Sequence, residues 1–199
     1  MLNTEYVVID FEGFKHKTGE YILKEISVFG PSYQDTLLLR PPYDLKIVPA
    51  ETRKTYLWVS KHLHGLDWNV GTHDYPFLHT FFNSLKLRFP AAVFYAKGPS
   101  KCNFLRSHLF RVVDLESVGC PKITQFPQYQ NNICSNHIHS QYYFDHCSKK
   151  KAYLFYIWLT NKINENGFTF LQNTNSANAP IVEPIPTNDV HDPTNGSEG

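Results

Sequence analysis

Apolar positions recur along the chain with two different periods. Glu5 to Phe11 is a short run rich in Val and Ile and predicts a buried strand. Gly13 to Gly19 reads as a polar turn. Tyr21 to Gly30 (YILKEISVFG) predicts a second strand with Glu25 as its odd polar residue, and Thr36 to Leu39 a third, ended by Pro41 and Pro42. From Pro49 the spacing lengthens to that of a helix through about Leu63, with Tyr56, Leu57 and Val59 on its apolar side. His64-Gly65-Leu66-Asp67-Trp68 then reads as a loop. Asp74 is placed to cap a second helix, with Pro76 in its first turn and Phe77, Leu78, Phe81, Phe82 and Leu85 at helical spacing up to Pro90. A strand over Ala91–Tyr95, a helix from Gly98 to about Leu109 and a strand over Val112–Leu115 follow. After a long irregular stretch, Glu116 to Asp145, a last amphipathic helix runs from Cys147 to about Ile163 and buries Ala152, Phe155, Tyr156 and Leu159.

Composition adds a boundary. The chain has 199 residues, 42% hydrophobic, enough for one domain with a real core. The last stretch differs. Residues 172–199 contain no Lys, Arg or aromatic residue, and have the composition of a disordered tail after a domain spanning 1–171. The net charge of +1 is uneven: the tail holds four acids, which leaves 19 basic against 14 acidic residues before it. A mildly basic core suits an anionic partner. No apolar run reaches membrane-spanning length, and the N-terminus lacks the basic flank of a signal peptide, so the expectation is an intracellular protein, without a membrane partner. Three of the four cysteines lie in a short His-rich stretch, which points to a metal before a disulfide.

Three antiparallel strands followed by alternating helices and strands is the order of an α/β, ribonuclease H-like fold. The expected architecture is a five-stranded mixed sheet flanked by helices on both faces, with Glu5–Phe11 central. On that strand Asp10 and Glu12 are two residues apart, so both carboxylates face the same way. Such a pair can hold Mg²⁺ or Mn²⁺ for phosphoryl transfer. The segment Val7-Val8-Ile9-Asp10-Phe11-Glu12-Gly13 with Ile22-Leu23-Lys24-Glu25-Ile26 resembles the first motif of the DEDDh 3′–5′ exonucleases. Ala96 to Leu105 and His146 to Ala152 resemble the later ones, and the likeness spans Glu5 to Ile163. The resemblance implies a site of four acids and a histidine, with Asp10, Glu12 and His146 in place. Where the other two acids belong stand Lys101 and Lys151. Two lysines repel the ions that two-metal hydrolysis requires, yet attract phosphate.

Cys134-x-x-His137 followed by Cys147 is a second constellation, with metal-ligand spacing. Candidates for a fourth ligand are Glu25, Cys120, His139 and His146. The pattern is similar to the Maelstrom domain, a DEDDh-derived module whose Glu-Cys-His-Cys set replaces the exonuclease acids; the resemblance places that set on Glu25, Cys134, His137 and Cys147, with Cys120 as a competing ligand. The expected ion is one structural zinc, with Mg or Mn only in an active nuclease. The functional expectation is a degenerate exonuclease domain that binds single-stranded nucleic acid, RNA in preference to DNA. It would bind through Lys101, Lys149, Lys150 and Lys151, with Tyr142, Tyr143, Phe144, Trp58 and Trp68 as stacking candidates. The rival readings are an active divergent metal-dependent nuclease and a non-catalytic protein-interaction scaffold.

Overall fold

A computed structural model of the chain describes residues 5–16, 18–126, 134, 136–137 and 146–166. The tail, and Tyr142, Tyr143, Phe144 and His139, lie outside the described residues.

The described chain is an α/β domain. Five strands, β1 (Tyr6–Lys15), β2 (Tyr21–Gly30), β3 (Tyr33–Leu38), β4 (Val93–Ala96) and β5 (Val112–Asp114), form a sheet in the order β3-β2-β1-β4-β5. The first three are antiparallel; β4 and β5 add parallel to β1, so the sheet is mixed and β1 is central. Four α-helices belong to the described residues: α1 (Ala50–Val59), α2 (Phe77–Arg88), α3 (Pro99–Arg106) and α4 (Ser148–Asn166). None is long and apolar enough to cross a membrane.

The alternation of β1 divides the core. Val7, Ile9 and Phe11 pack with Leu78, Phe81, Phe82 and Leu85 of α2 and Cys102 and Leu105 of α3. Val8 faces the other way, with Val93, Tyr95 and, from α4, Ala152, Phe155 and Leu159. Each fully buried side chain of this size contributes roughly 1.5–3 kcal/mol. Asp10 and Glu12 share the parity of Val8 and therefore lie on the α4 face.

Several boundaries depart from the sequence pattern. Gly13 is not in a turn: β1 runs on to Lys15. The register slips there, from Glu12↔Glu25 to Gly13↔Leu23, which leaves Lys24 as an extra residue on β2. The strands approach so closely that a Cβ on Gly13 would sit 2.2 Å from the carbonyl oxygen of Ile22. Asp74 does not cap α2. Its carboxylate is held by Arg40 at 2.8 Å, and Pro76 takes the cap position with no side-chain acceptor. The first helix ends at Val59 and widens into a π turn, Ser60–His64, stopped by Gly65 in the left-handed region (φ 65°).

Candidate functional site

The two constellations are adjacent because Glu12 and Glu25 are cross-strand partners, and directly paired residues point to the same face. Two carboxylates side by side in a buried position repel one another, so each needs its own cation. The structure meets that demand in two different ways.

Around Asp10 and Glu12 the cations are built in. Lys101, in the first turn of α3, places Nζ 2.8 Å from Asp10 Oδ1, 2.5 Å from the carbonyl oxygen of Phe11 and 3.5 Å from Glu12 Oε1. Lys151, one turn into α4, lies 3.1 Å from Asp10 Oδ2 and also pairs with Glu12 Oε1. Burial works to raise the Glu12 carboxyl, but the charges of Lys101 and Lys151 overcome it and hold the group well below the usual range. Burial works against the Lys151 ammonium, and the two carboxylates more than compensate and push its pKa up. His146 Nδ1 stands 3.9 Å from Glu12 Oε2, half-exposed at the edge of this cluster. Asp114 is committed elsewhere, accepting from the Gly98 amide that precedes α3 and from the nearby Glu116 amide, both at 2.9 Å.

The run Lys149-Lys150-Lys151 does not form one basic surface: only Lys149 is exposed, while Lys150 and Lys151 are buried. Instead, Lys101 and Lys151 face a cavity of about 380 Å³ that Lys97 and Lys122 also line, with Asp10, Glu116, Ile123, Thr124 and Phe155. Lys97 and Lys122 were absent from the binding expectation: Lys97 lies in the segment that resembles the second exonuclease motif but takes no site position there, and Lys122 belongs to no motif. Of the stacking candidates, Trp68 is buried against Tyr56 with ring centres 5.4 Å apart; Trp58 is exposed and lies against His62.

Around Glu25 the arrangement is a cluster of donors. Cys134, His137 and Cys147 bring one ligand atom each within 4.8 Å of one another, a group that could hold a metal ion. Glu25 adjoins it: Oε1 is 3.8 Å from Cys134 Sγ and accepts from Asn136 at 3.1 Å, while Oε2 is 3.0 Å from His137 Nε2. Ser148 donates to Oε2 from both its amide and its hydroxyl, at 3.0 and 2.7 Å. Cys147 immediately precedes α4, and its sulfur accepts from the Lys150 amide at 3.5 Å, an influence toward the thiolate that the Cys134 hydrogen bond and burial outweigh. The two thiols share a hydrogen bond that draws Cys134 down to about 6 and pushes Cys147 up. Cys120 is not part of the group. It packs in the core beside Leu115 and Tyr95, where burial raises its thiol to about 12.

Sequence reasoning also missed Lys24. Its Nζ is fully buried and donates to the carbonyl oxygens of Leu39 (2.8 Å), Trp68 (2.9 Å) and Val70, and burial lowers its pKa to about 8. A lysine within an apolar strand was the available signal. No protein-family model matches the chain, and no curated protein is significantly similar to it.

Proposed function

We propose that this chain is a ribonuclease H-like module of the exonuclease type that has exchanged metal-dependent hydrolysis for the binding of single-stranded nucleic acid, RNA in preference to DNA. The observation that carries the reading is the pair of ammonium groups, Lys101 and Lys151, seated against Asp10 and Glu12. Two-metal hydrolysis needs several free carboxylate oxygens around about four positive charges. Here the two acids are already neutralised by tethered cations, which no incoming ion can displace without leaving buried ammonium groups unpaired.

Binding is assigned to the mouth of the lysine-lined cavity. Lys101 spends its three N–H groups on Asp10, Phe11 and Glu12, so it contributes field rather than a direct phosphate contact. Lys97 and Lys122, with Lys149 on the first turn of α4, are the lysines placed for phosphate oxygens. The same internal pairing favours a second reading, a protein-interaction scaffold in which the lysines only close an abandoned site.

The Cys134, His137 and Cys147 donors, with Glu25 as the fourth, fit zinc. Two thiolates and an imidazole are its usual ligands, and a carboxylate completes a tetrahedral set. Bound there, zinc cross-links β2, the segment containing Cys134 and His137, and the start of α4; its role is structural.

The test is an assay of the full chain with 5′-labelled single-stranded RNA and DNA, at several salt concentrations and with Mg²⁺ or Mn²⁺. Salt-sensitive binding without shortening of the strand is the expected result. Metal-dependent shortening abolished by Asp10→Ala establishes the nuclease instead, and absence of binding at low salt leaves the scaffold.

A further inference from the structure

The loop that follows α1 has no place in either constellation, yet it reaches the metal cluster from behind. His64 is 1% exposed, closes the π turn and packs edge-on against Phe14 at 5.0 Å. Its carbonyl oxygen lies 2.5 Å from His137 Nδ1, the ring nitrogen turned away from Glu25. A carbonyl can only accept, so Nδ1 carries the proton, and Nε2 is the atom left for an ion.

His64 is itself a buried histidine beside the cluster, but its own bonding excludes it as a ligand. Nδ1 accepts the Leu66 amide at 3.0 Å, so the neutral ring carries its proton on Nε2 and has no free lone pair. That Nε2–H is buried without an acceptor. A packing role alone is served better by phenylalanine, which has no donor to strand. The nitrogen that does work is Nδ1, which fastens the ring to the turn. The turn is braced twice more: Ser60 Oγ donates to the Leu66 carbonyl at 2.7 Å, and the Lys24 ammonium gathers the carbonyls of Trp68 and Val70. Lys24 is the bulge residue next to Glu25, so one strand irregularity supplies both a carboxylate at the cluster and the anchor of the loop behind it.

We propose that His64 is the positioning residue of the metal cluster: its side chain shapes the Ser60–Gly65 turn so that its carbonyl holds His137 with Nε2 facing the ion. The proposal rests on the metal reading of Cys134, His137 and Cys147. Partners of this kind, outside the ligands themselves, typically change metal affinity by about 10–100-fold.

The experiment uses the full chain, loaded with zinc or with cobalt as a spectroscopic substitute. Zinc affinity is measured by competition with a chromophoric chelator for wild type, His64→Phe and His64→Asn, with the thermal midpoint recorded for each. His64→Phe is expected to bind zinc about 10–100-fold more weakly and to alter the cobalt ligand-field bands, while the sulfur-to-cobalt charge-transfer band persists. His64→Asn keeps an acceptor where Nδ1 stood and is expected to recover most of the affinity. Nitrogen NMR of zinc-loaded wild type tests the geometry without any variant: His137 should be metallated at Nε2 and protonated at Nδ1. Zinc on Nδ1, or a folded His64→Phe with wild-type affinity and bands, overturns the positioning role alone. A wild-type chain that takes up neither zinc nor cobalt overturns the metal reading, and this one with it.

Discussion

Glu12 and Glu25 are the same residue type, paired across neighbouring strands on one face of one sheet, and they are treated in opposite ways. Glu12 is neutralised by lysines that arrive on α3 and α4 as part of the chain. Glu25 is surrounded by neutral and ionisable donors, among them His137, Asn136 and Ser148, beside two thiols. A tethered ammonium satisfies a buried carboxylate permanently and excludes an external ion. A set of thiols and an imidazole leaves the choice of cation open. The first turn of α4 serves both, since Cys147 and Ser148 reach one cluster and Lys151 the other.

The sharpest way to break this comparison is to remove a tethered cation. Lys151→Met leaves Asp10 and Glu12 with Lys101 alone, and uncovering a buried charge of this kind costs about 3–5 kcal/mol. Urea denaturation of the variant should show a loss of that size; a loss within about 1 kcal/mol of wild type means that the lysine cluster is not closed.

Removing a ligand from the other cluster should cost only what the ion supplies. Cys147→Ser should fail to retain zinc. With zinc about a hundredfold above Kd, wild type should exceed it by ~2.7 kcal/mol, and in chelator the two should converge. Elemental analysis should find one zinc per wild-type chain. Zinc-free wild type with unchanged melting in Cys134→Ser and Cys147→Ser reduces the cluster to packing.

The pH dependence should distinguish the metal-free from the metal-loaded chain. Burial works against the His137 imidazolium, but Glu25 outweighs it and raises the folded pKa above the ordinary 6.5. In metal-free protein that contribution is complete below about pH 6.5 and is lost as the pH rises through the higher folded value. Zinc must displace the same proton and those of the thiols, so its affinity rises over that range. Cys134, drawn down to about 6, contributes in the opposite sense over the same range, so the test compares wild type with His137→Gln. In chelator the stability difference between them should shrink as the pH rises above about 6.5, while the rise in midpoint that zinc brings to wild type should grow. Parallel curves contradict the assignment of His137.

The smallest effects on binding belong to the mouth of the lysine-lined cavity. Lys97→Ala and Lys122→Ala should each reduce the slope of log affinity against log salt by about 0.7. The ion pair of Lys97 with the exposed Glu116, at 3.4 Å, is worth at most ~1 kcal/mol, but Lys97 also donates to the Cys120 carbonyl at 2.9 Å. Lys97→Ala should therefore cost about 1.5–3 kcal/mol of stability, while the exposed Lys122→Ala leaves folding nearly unaffected. An unchanged slope moves the phosphate contacts elsewhere.

Much of the architecture was legible in the chain. The Val/Ile run before Asp10 marked the central strand, and helical spacing from Phe77 to Leu85 marked the helix that covers it. The shared face of Asp10 and Glu12 follows from alternation alone, and the spacing of Cys134, His137 and Cys147 announced a ligand group. These are local properties, set by the period of a strand or helix and by residue type. What tertiary structure alone decided is how each charge is met. The exonuclease resemblance singled out Lys151 in the run Lys149-Lys150-Lys151, but nothing marked Lys150 as buried and Lys149 as exposed, because that depends on where α4 lands on the sheet. Asp74 reads as a helix cap, but Arg40, 34 residues earlier, takes its carboxylate. The bulge at Gly13, the burial of Lys24 and the grip of the His64 carbonyl on His137 all require segments distant in sequence to meet. Periodicity records which way a side chain points; a buried charge is settled by what the rest of the chain brings to within about 3 Å of it.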